Sequence, residues 1–311
     1  MAESLKYFKN PPGGVPEIID DEKELEQAVN ELAEAAGPIA IDTERASGYT
    51  YSQQAYLVQI KKSATTTFLI DPTLELDYTF LKNLLNENEW ILHAATQDLP
   101  CLYQLALKPM KIFDTELAAR LLELPRVSLL GLLEDRLKIA IDKAHSAVNW
   151  SSRPLKTEWL SYAALDVEFL HELQADLTQS LIENEKLEQA EQAFNSLLNF
   201  QPNPPRIDAW RGTSGIHKLT SRKQAAIVRE VWQMRDEIAK KENLAPHRVC
   251  RDEKIIHLAL SGLKSKNEFE KVFKDKKANS QLIADLYSAY QKALELTAEN
   301  WPPLRLERNR E

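Results

Sequence analysis

Apolar residues recur along this chain with two different spacings, and the spacings divide it. Compact apolar runs at 38–42, 55–61, 67–71, 90–94 and 111–114 predict strands. The second and third are joined by Lys62-Ser63-Ala64-Thr65-Thr66, the length of a hairpin connection. Ahead of them, residues 20–36 carry Leu25, Val29 and Leu32 at helical spacing. Acidic residues stand at the start of that segment, and Gly37-Pro38 ends it. From residue 115 the spacing is helical, over 116–123, 129–137 and 157–177. Early strands joined by short turns, then strands alternating with helices, predict an α/β domain with a mixed sheet flanked by helices.

Asn199-Phe200-Gln201-Pro202-Asn203-Pro204-Pro205 is the clearest break, because proline removes backbone donors and disfavours helix just before it. Beyond it, residues 221–241, 252–260, 267–273 and 279–297 predict short helices of an all-α bundle. The expected organisation is a catalytic-type domain at 1–200, a proline-rich linker at 201–216 and a helical module at 217–297. A loosely ordered tail follows at 298–311.

Composition narrows the classes. A chain of 311 residues is comfortable for two domains. No apolar run approaches the roughly 20 residues of a membrane span. The N-terminus lacks the basic and apolar regions of a signal peptide. Cys101 and Cys250 are the two cysteines, which excludes a disulfide framework or a cysteine-based zinc site. The expectation is a cytoplasmic, monomeric protein with no membrane partner. The net charge of −8 hides an asymmetry. Residues 1–200 hold 17 basic and 32 acidic residues, and 201–311 hold 22 and 15. An acidic domain joined to a basic one suits a metal-dependent site tied to a module that holds a polyanion.

Three dispersed acidic positions carry the candidate chemistry. Asp42 and Glu44 are two apart, so on a strand they face one side. Asp98 follows His93-Ala94-Ala95-Thr96-Gln97, where a strand yields to a helix. Tyr162 and Asp166 are four apart and share a helical face. Hard oxygen ligands of this kind suit Mg2+ or Mn2+. Two such cations activate water on one side of a phosphate and stabilise the leaving oxygen on the other. Asp42 is then the bridging ligand, Glu44 and Asp166 complete one ion, and Asp98 holds the second. A phenol with a pKa of about 10 is a poor base at neutral pH, so Tyr162 is expected to orient the water. Asp-x-Glu or Tyr-x-x-x-Asp alone is common; the order and contexts together are the specific signal.

The segments Ile41-Asp42-Thr43-Glu44, Leu57-Val58-Gln59-Ile60, His93 to Leu99, Phe113-Asp114-Thr115, Arg153-Pro154-Leu155 and Tyr162 to Asp166 together resemble the ribonuclease D family. That family lies in the tyrosine branch of the DEDD exonucleases. The resemblance implies a ribonuclease H-like fold and 3′→5′ hydrolysis of RNA to nucleoside 5′-monophosphates. It maps metal ligation onto Asp42, Glu44, Asp98 and Asp166. By family analogy the substrate is a single-stranded 3′ end, such as that of a tRNA precursor. Two departures stand out: Arg45 occupies a position where many members carry Phe, and Asn149 precedes Trp150 where an acid is frequent. Arg45 is a candidate contact to a terminal phosphate or base, or a partner of a nearby carboxylate.

Residues 217–297 resemble an HRDC domain, on Trp232 to Ala239, Pro246-His247-Arg248-Val249 and Asp252-Glu253. The resemblance implies nucleic-acid binding, and Lys240, Lys241, Arg248, Arg251 and Lys254 are candidates for one phosphate track. A purely structural bundle is the competing reading. Tyr49, Tyr51 and Tyr56 are candidates for base stacking or strand packing, and Trp150 and Trp159 for core anchors. The rival functions are a DNA 3′→5′ exonuclease of repair type and a non-catalytic RNA-binding scaffold. The absence of a polymerase or helicase region weighs against proofreading. The scaffold would require a lost ligand, and all five positions are occupied.

Overall fold

The computed structural model describes residues 4–304 except 64, 143, 146, 203, 205, 264 and 274–279. Asn203 and Pro205 of the expected linker, Ala64 of the hairpin connection and the tail from residue 305 therefore lie outside the described residues. The chain divides into two compact units, Met1–Ala46 with Gln53–Pro202, and Ser47–Ser52 with Asn203–Glu311.

The first unit opens with β1 (Lys6–Phe8), β2 (Ile18–Ile19), α1 (Glu22–Glu34), β3 (Ile39–Arg45) and β4 (Ala55–Lys61). It continues through β5 (Phe68–Ile70), α2 (Thr79–Asn86), β6 (Glu89–Leu92), α3 (Leu99–Gln104) and β7 (Lys111–Asp114). Then come α4 (Thr115–Leu121), α5 (Leu129–Leu132), β8 (Ile139–Ile141), α6 (Thr157–Glu168), α7 (Leu170–Glu183) and α8 (Leu187–Leu197). The main sheet has the order β2-β5-β4-β3-β6-β7. Strands β3, β4 and β5 pair antiparallel, while β6 and β7 run parallel to β3. This is the expected mixed α/β sheet.

Alternation along the strands builds two cores. Ile39, Ile41, Val58 and Ile60 face Leu25 and Leu32 of α1 and Leu81 and Leu85 of α2. Ala40 and Ile91 face Leu165 of α6 and Leu170, Leu173 and Leu177 of α7. Asp42 and Glu44 continue the second face beyond Ala40, which delivers them toward α6.

The structure differs from the sequence pattern in three places. The periodicity over 157–177 is two helices, because Phe169 leaves helical geometry (φ −113°, ψ 14°) and packs its ring 5.0 Å from Phe8. The pattern over 129–137 is α5 followed by a π-helical turn at Leu133–Leu137, ended by Lys138 at φ 58°. That turn feeds β8, which pairs with β1 in a separate parallel ribbon. A three-residue strand whose partner lies at the far end of the domain leaves no periodic signal.

The second unit contains α9 (Arg222–Lys241), α10 (Pro246–Val249), α11 (Asp252–Ser261), α12 (Lys266–Val272) and α13 (Ser280–Glu295). Ser221 and Gln224 form a reciprocal capping box at the start of α9. Trp210, Val228, Val231, Leu258, Phe269 and Leu286 form its core. Among the described residues no helix is long and apolar enough to cross a membrane.

One ion pair to a buried carboxylate fixes the rim of the first unit. Arg153 donates through Nε to Asp71 Oδ2 at 2.6 Å, and also to the carbonyls of Tyr56 at 2.9 Å and Trp150 at 2.8 Å. Burial alone would raise the Asp71 carboxyl, but the bonds from Arg153 and Thr73 outweigh it and hold it below its usual range. Arg153→Ala should destabilise the protein by about 3 kcal/mol, by leaving a buried charge unpaired. A carboxyl depressed in the folded state stabilises above its unfolded pKa of about 3.9, and that stability is lost as pH falls. Urea titrations should show the variant's deficit near pH 7 and its progressive loss as pH falls below about 4.

Candidate active site

The carboxyl ends of β3 and β6 and the middle of α6 converge on one cavity of ≈ 270 Å³. Asp42, Glu44, Arg45, Asp98, Tyr162 and Asp166 line it, together with Thr43, His93, Gln97, Leu129 and Leu170. All five residues singled out for catalysis are thus brought together. Carboxylate oxygens of Asp42, Glu44 and Asp166 lie within 4.8 Å of one another. Asp98 stands apart from that trio and is held separately. Thr43, between the two acids of β3, faces the opposite side of the strand. Its hydroxyl donates to Asp98 Oδ1 at 2.6 Å, and the Cys101 thiol donates to the Asp98 carbonyl at 3.0 Å.

The turn after β6 is fixed by a second buried acid. Ala94 takes a left-handed conformation (φ 59°), uncommon for a residue with a Cβ. Asp114 Oδ1 and Oδ2 accept from the amides of Ala94 at 3.1 Å and Ala95 at 2.9 Å. The same carboxylate caps α4 through the amides of Glu116 and Leu117. One side chain therefore ties the loop carrying Asp98 to the next helix.

Burial dominates the electrostatics. The Asp42 and Glu44 carboxyls are pushed well above the ordinary carboxylate range, first by desolvation and then by their acidic neighbours. Asp166 is raised to about 7 and Asp98 to about 6, again chiefly by burial. The bond that Tyr162 donates to Asp166 opposes the first shift, and the Thr43 bond and the Arg45 charge oppose the second. Tyr162 itself is raised above its usual value by burial and by Asp166, Glu44 and Asp42. An all-oxygen donor set this crowded and this short of positive charge fits hard divalent cations.

His93, which carried no role of its own in the sequence, also lines the cavity. Thr115 donates its hydroxyl proton to the Leu92 carbonyl, so His93 Nδ1 donates to Thr115 Oγ1 at 2.9 Å. Burial lowers His93 to about 4, so the ring is neutral. Thr43 was missed as well; period-two alternation next to Asp42 and Glu44 is the signal that places it opposite them.

The remaining predicted residues are placed as follows. Trp150 is fully buried, 6.4 Å from the Tyr162 ring and 6.0 Å from that of Trp159, as a core anchor. Tyr56 is buried in β4 and is not a stacking platform. Within the second unit, Lys240, Lys241 and Arg251 are exposed. Arg248 donates to the Gly48 carbonyl at 2.8 Å and covers the Tyr49 ring at 4.1 Å. Its guanidinium is therefore partly committed to contacts inside that unit.

A carboxylate cluster at the carboxyl ends of a mixed sheet, backed by an acid and a phenol on one helix, belongs to a class of phosphodiester-cleaving domains. Residues 16–182 match the family described as 3′-5′ exonuclease, and residues 224–287 match the HRDC domain. The chain belongs to the 3′-5′ exonuclease family. It is 31% identical over 249 residues to ribonuclease D of Desulfotalea psychrophila, a match covering 78% of this chain and 66% of that protein. A crystal structure of a protein from Bifidobacterium adolescentis is 32% identical with a TM-score of 0.85, covering 96% of this chain and 79% of that one. Escherichia coli RNase D shares the fold at a TM-score of 0.69 and 24% identity, over 93% of this chain and 78% of that one. The similarity to ribonuclease D expected from the motifs is borne out, and so is the HRDC domain.

The raised carboxyls imply a pH dependence with a definite sign. In the metal-free protein, the folded state holds more protons than the unfolded state between about pH 4 and 7, so stability falls as pH rises through that window. Mg2+ should therefore raise the melting temperature more at pH 8 than at pH 5. Asp166→Asn should raise the metal-free melting temperature at pH 8 and shrink the Mg2+ response. A Mg2+ shift equal at both pH values would contradict this account.

Proposed function

We propose that this chain is a metal-dependent 3′→5′ exoribonuclease that releases nucleoside 5′-monophosphates. The observation that carries this reading is the approach of Asp42, Glu44 and Asp166 within 4.8 Å in a member of the 3′-5′ exonuclease family. We assign the catalytic domain to 1–200, the linker to 201–216 and the HRDC domain to 217–297. Two cations, Mg2+ or Mn2+, supply Lewis acidity and an activated water for in-line displacement at phosphorus. Asp42 would hold both ions, Glu44 and Asp166 would complete one, and Asp98, steadied by Thr43, would hold the other. Burial, and then its acidic neighbours, keep the Tyr162 phenol protonated, so it orients the attacking water and does not remove its proton. Arg45 is the cationic side chain of the cavity and suits a phosphate oxygen of the terminal nucleotide. Single-stranded 3′ ends, including those of tRNA precursors, are the proposed substrates, and the cytoplasm the proposed location.

Matched 3′-labelled and 5′-labelled RNA and DNA oligonucleotides test the reaction. Wild-type protein with Mg2+ or Mn2+ should shorten RNA stepwise from the 3′ end, and EDTA should abolish it. Asp42→Asn should lower the rate by at least about a thousandfold, since it removes a metal ligand. Activity that survives EDTA would sink the mechanism, and equal rates on DNA would favour the repair-type alternative.

The exposed Lys240 and Lys241 test the second unit. Changing both to Ala should weaken RNA binding and flatten its salt dependence by about 1.4 in log–log slope, about 0.7 per lost single-strand phosphate contact. An unchanged slope would leave the HRDC domain a structural role.

A further inference from the structure

Gln59 is fully buried in the centre of β4, yet among the described residues neither its amide nitrogen nor its amide oxygen has a hydrogen-bond partner. An unpaired buried polar group costs about 1–3 kcal/mol, so its presence calls for a partner. Its surroundings narrow the choice. Gln59 lies directly across from Asp42 in the β3–β4 register and from Leu69 on the other side. Directly opposed residues share a face, with Cβ atoms about 5 Å apart. That face is the one covered by α6, since Lys61, two residues on, pairs with Glu168 of that helix. Lys61 is also occupied by the Thr65 carbonyl, and Ser161 of α6 is bonded to Lys9 and Asn10. Leu57 and Leu69 offer nothing polar. Asp42 is the polar neighbour with capacity to spare: among the described residues, its carboxylate accepts from the Thr43 amide.

We infer that Gln59 is a positioning residue for the metal site, whose amide N–H donates to the Asp42 carboxylate when the site holds its cations. This rests on the metal-site reading above. A carboxylate that ligates a cation is held in one orientation, and an amide N–H behind it then makes a strong, charge-assisted bond. Carboxylates that hold metals are commonly oriented from behind in this way, and losing such support typically lowers metal affinity about 10–100-fold. Gln59 would fix which Asp42 oxygen faces the cations while touching neither cation nor substrate.

The test measures Mn2+ binding to the full chain by titration calorimetry and electron paramagnetic resonance, beside thermal denaturation in EDTA. Gln59→Leu and the flexible, near-isosteric Gln59→Met are compared with wild type. The expected result is a Mn2+ dissociation constant raised about 10–100-fold in both variants. Their metal-free melting temperature should be unchanged or higher, because an apolar side chain removes an orphaned amide. Wild-type Mn2+ affinity in a folded variant would overturn the assignment. A lower metal-free melting temperature in both variants would also overturn it, since Gln59 would then be a packing residue. Wild-type protein that binds no Mn2+ would overturn the metal-site reading itself, a result distinct from the other two.

Discussion

Crowded, desolvated negative charge is the constraint on which the rest of this structure depends. Asp42, Glu44 and Asp166 are held within 4.8 Å, where burial leaves their charges poorly solvated. Left alone they would splay apart or stay protonated. The surrounding protein prevents the first. The β3–β4 pairing fixes two of the acids, α6 fixes the third, and two hydrophobic cores clamp these elements from opposite faces. The protein does little to prevent the second, since Arg45 is the cation that opposes the shifts and its charge does not cancel them. A site arranged in this way stores unfavourable electrostatics that divalent cations relieve.

Much of that arrangement was legible in the sequence, because it rests on local geometry. Period two places Asp42 and Glu44 on one face. Period 3.6 stacks Tyr162 over Asp166. The strands and most helices followed from the same two spacings, and family resemblance supplied the order in which they assemble. What escaped were the residues whose meaning is set by distant partners. Thr43 acquires its role from Asp98, 55 positions away, and His93 its tautomer from Thr115, 22 positions away. The β1–β8 ribbon spans an even larger separation. Gln59 sits within a quoted motif, but only the register reveals which residue it faces.

The second unit was read correctly as a helical bundle and an HRDC domain. Its grouping with Ser47–Ser52, a loop between two strands of the sheet, was not foreseen. Nothing in the composition of that loop distinguishes it from an ordinary hairpin connection. The attachment depends on a committed Arg248 and on the Tyr49 carbonyl accepting from the Ala245 amide. A basic residue near a helix end is ambiguous in sequence for this reason: a guanidinium serves a phosphate, an aromatic face or a carbonyl equally well.

Strand β3 has a further implication for how this sequence can drift. Its seven residues alternate between two incompatible jobs, with Asp42 and Glu44 on one side and Thr43 on the other. A single inserted or deleted residue would exchange the two sets and bury the acids against the α1 face. The neighbouring irregularity is accommodated on β4, where Tyr56 is the extra residue opposite the Glu44–Arg45 step. Length is therefore a stricter inheritance here than composition. Point changes in β3 can be tried one at a time, whereas a change in its count is tolerated only outside the strand, in the loops that bound it.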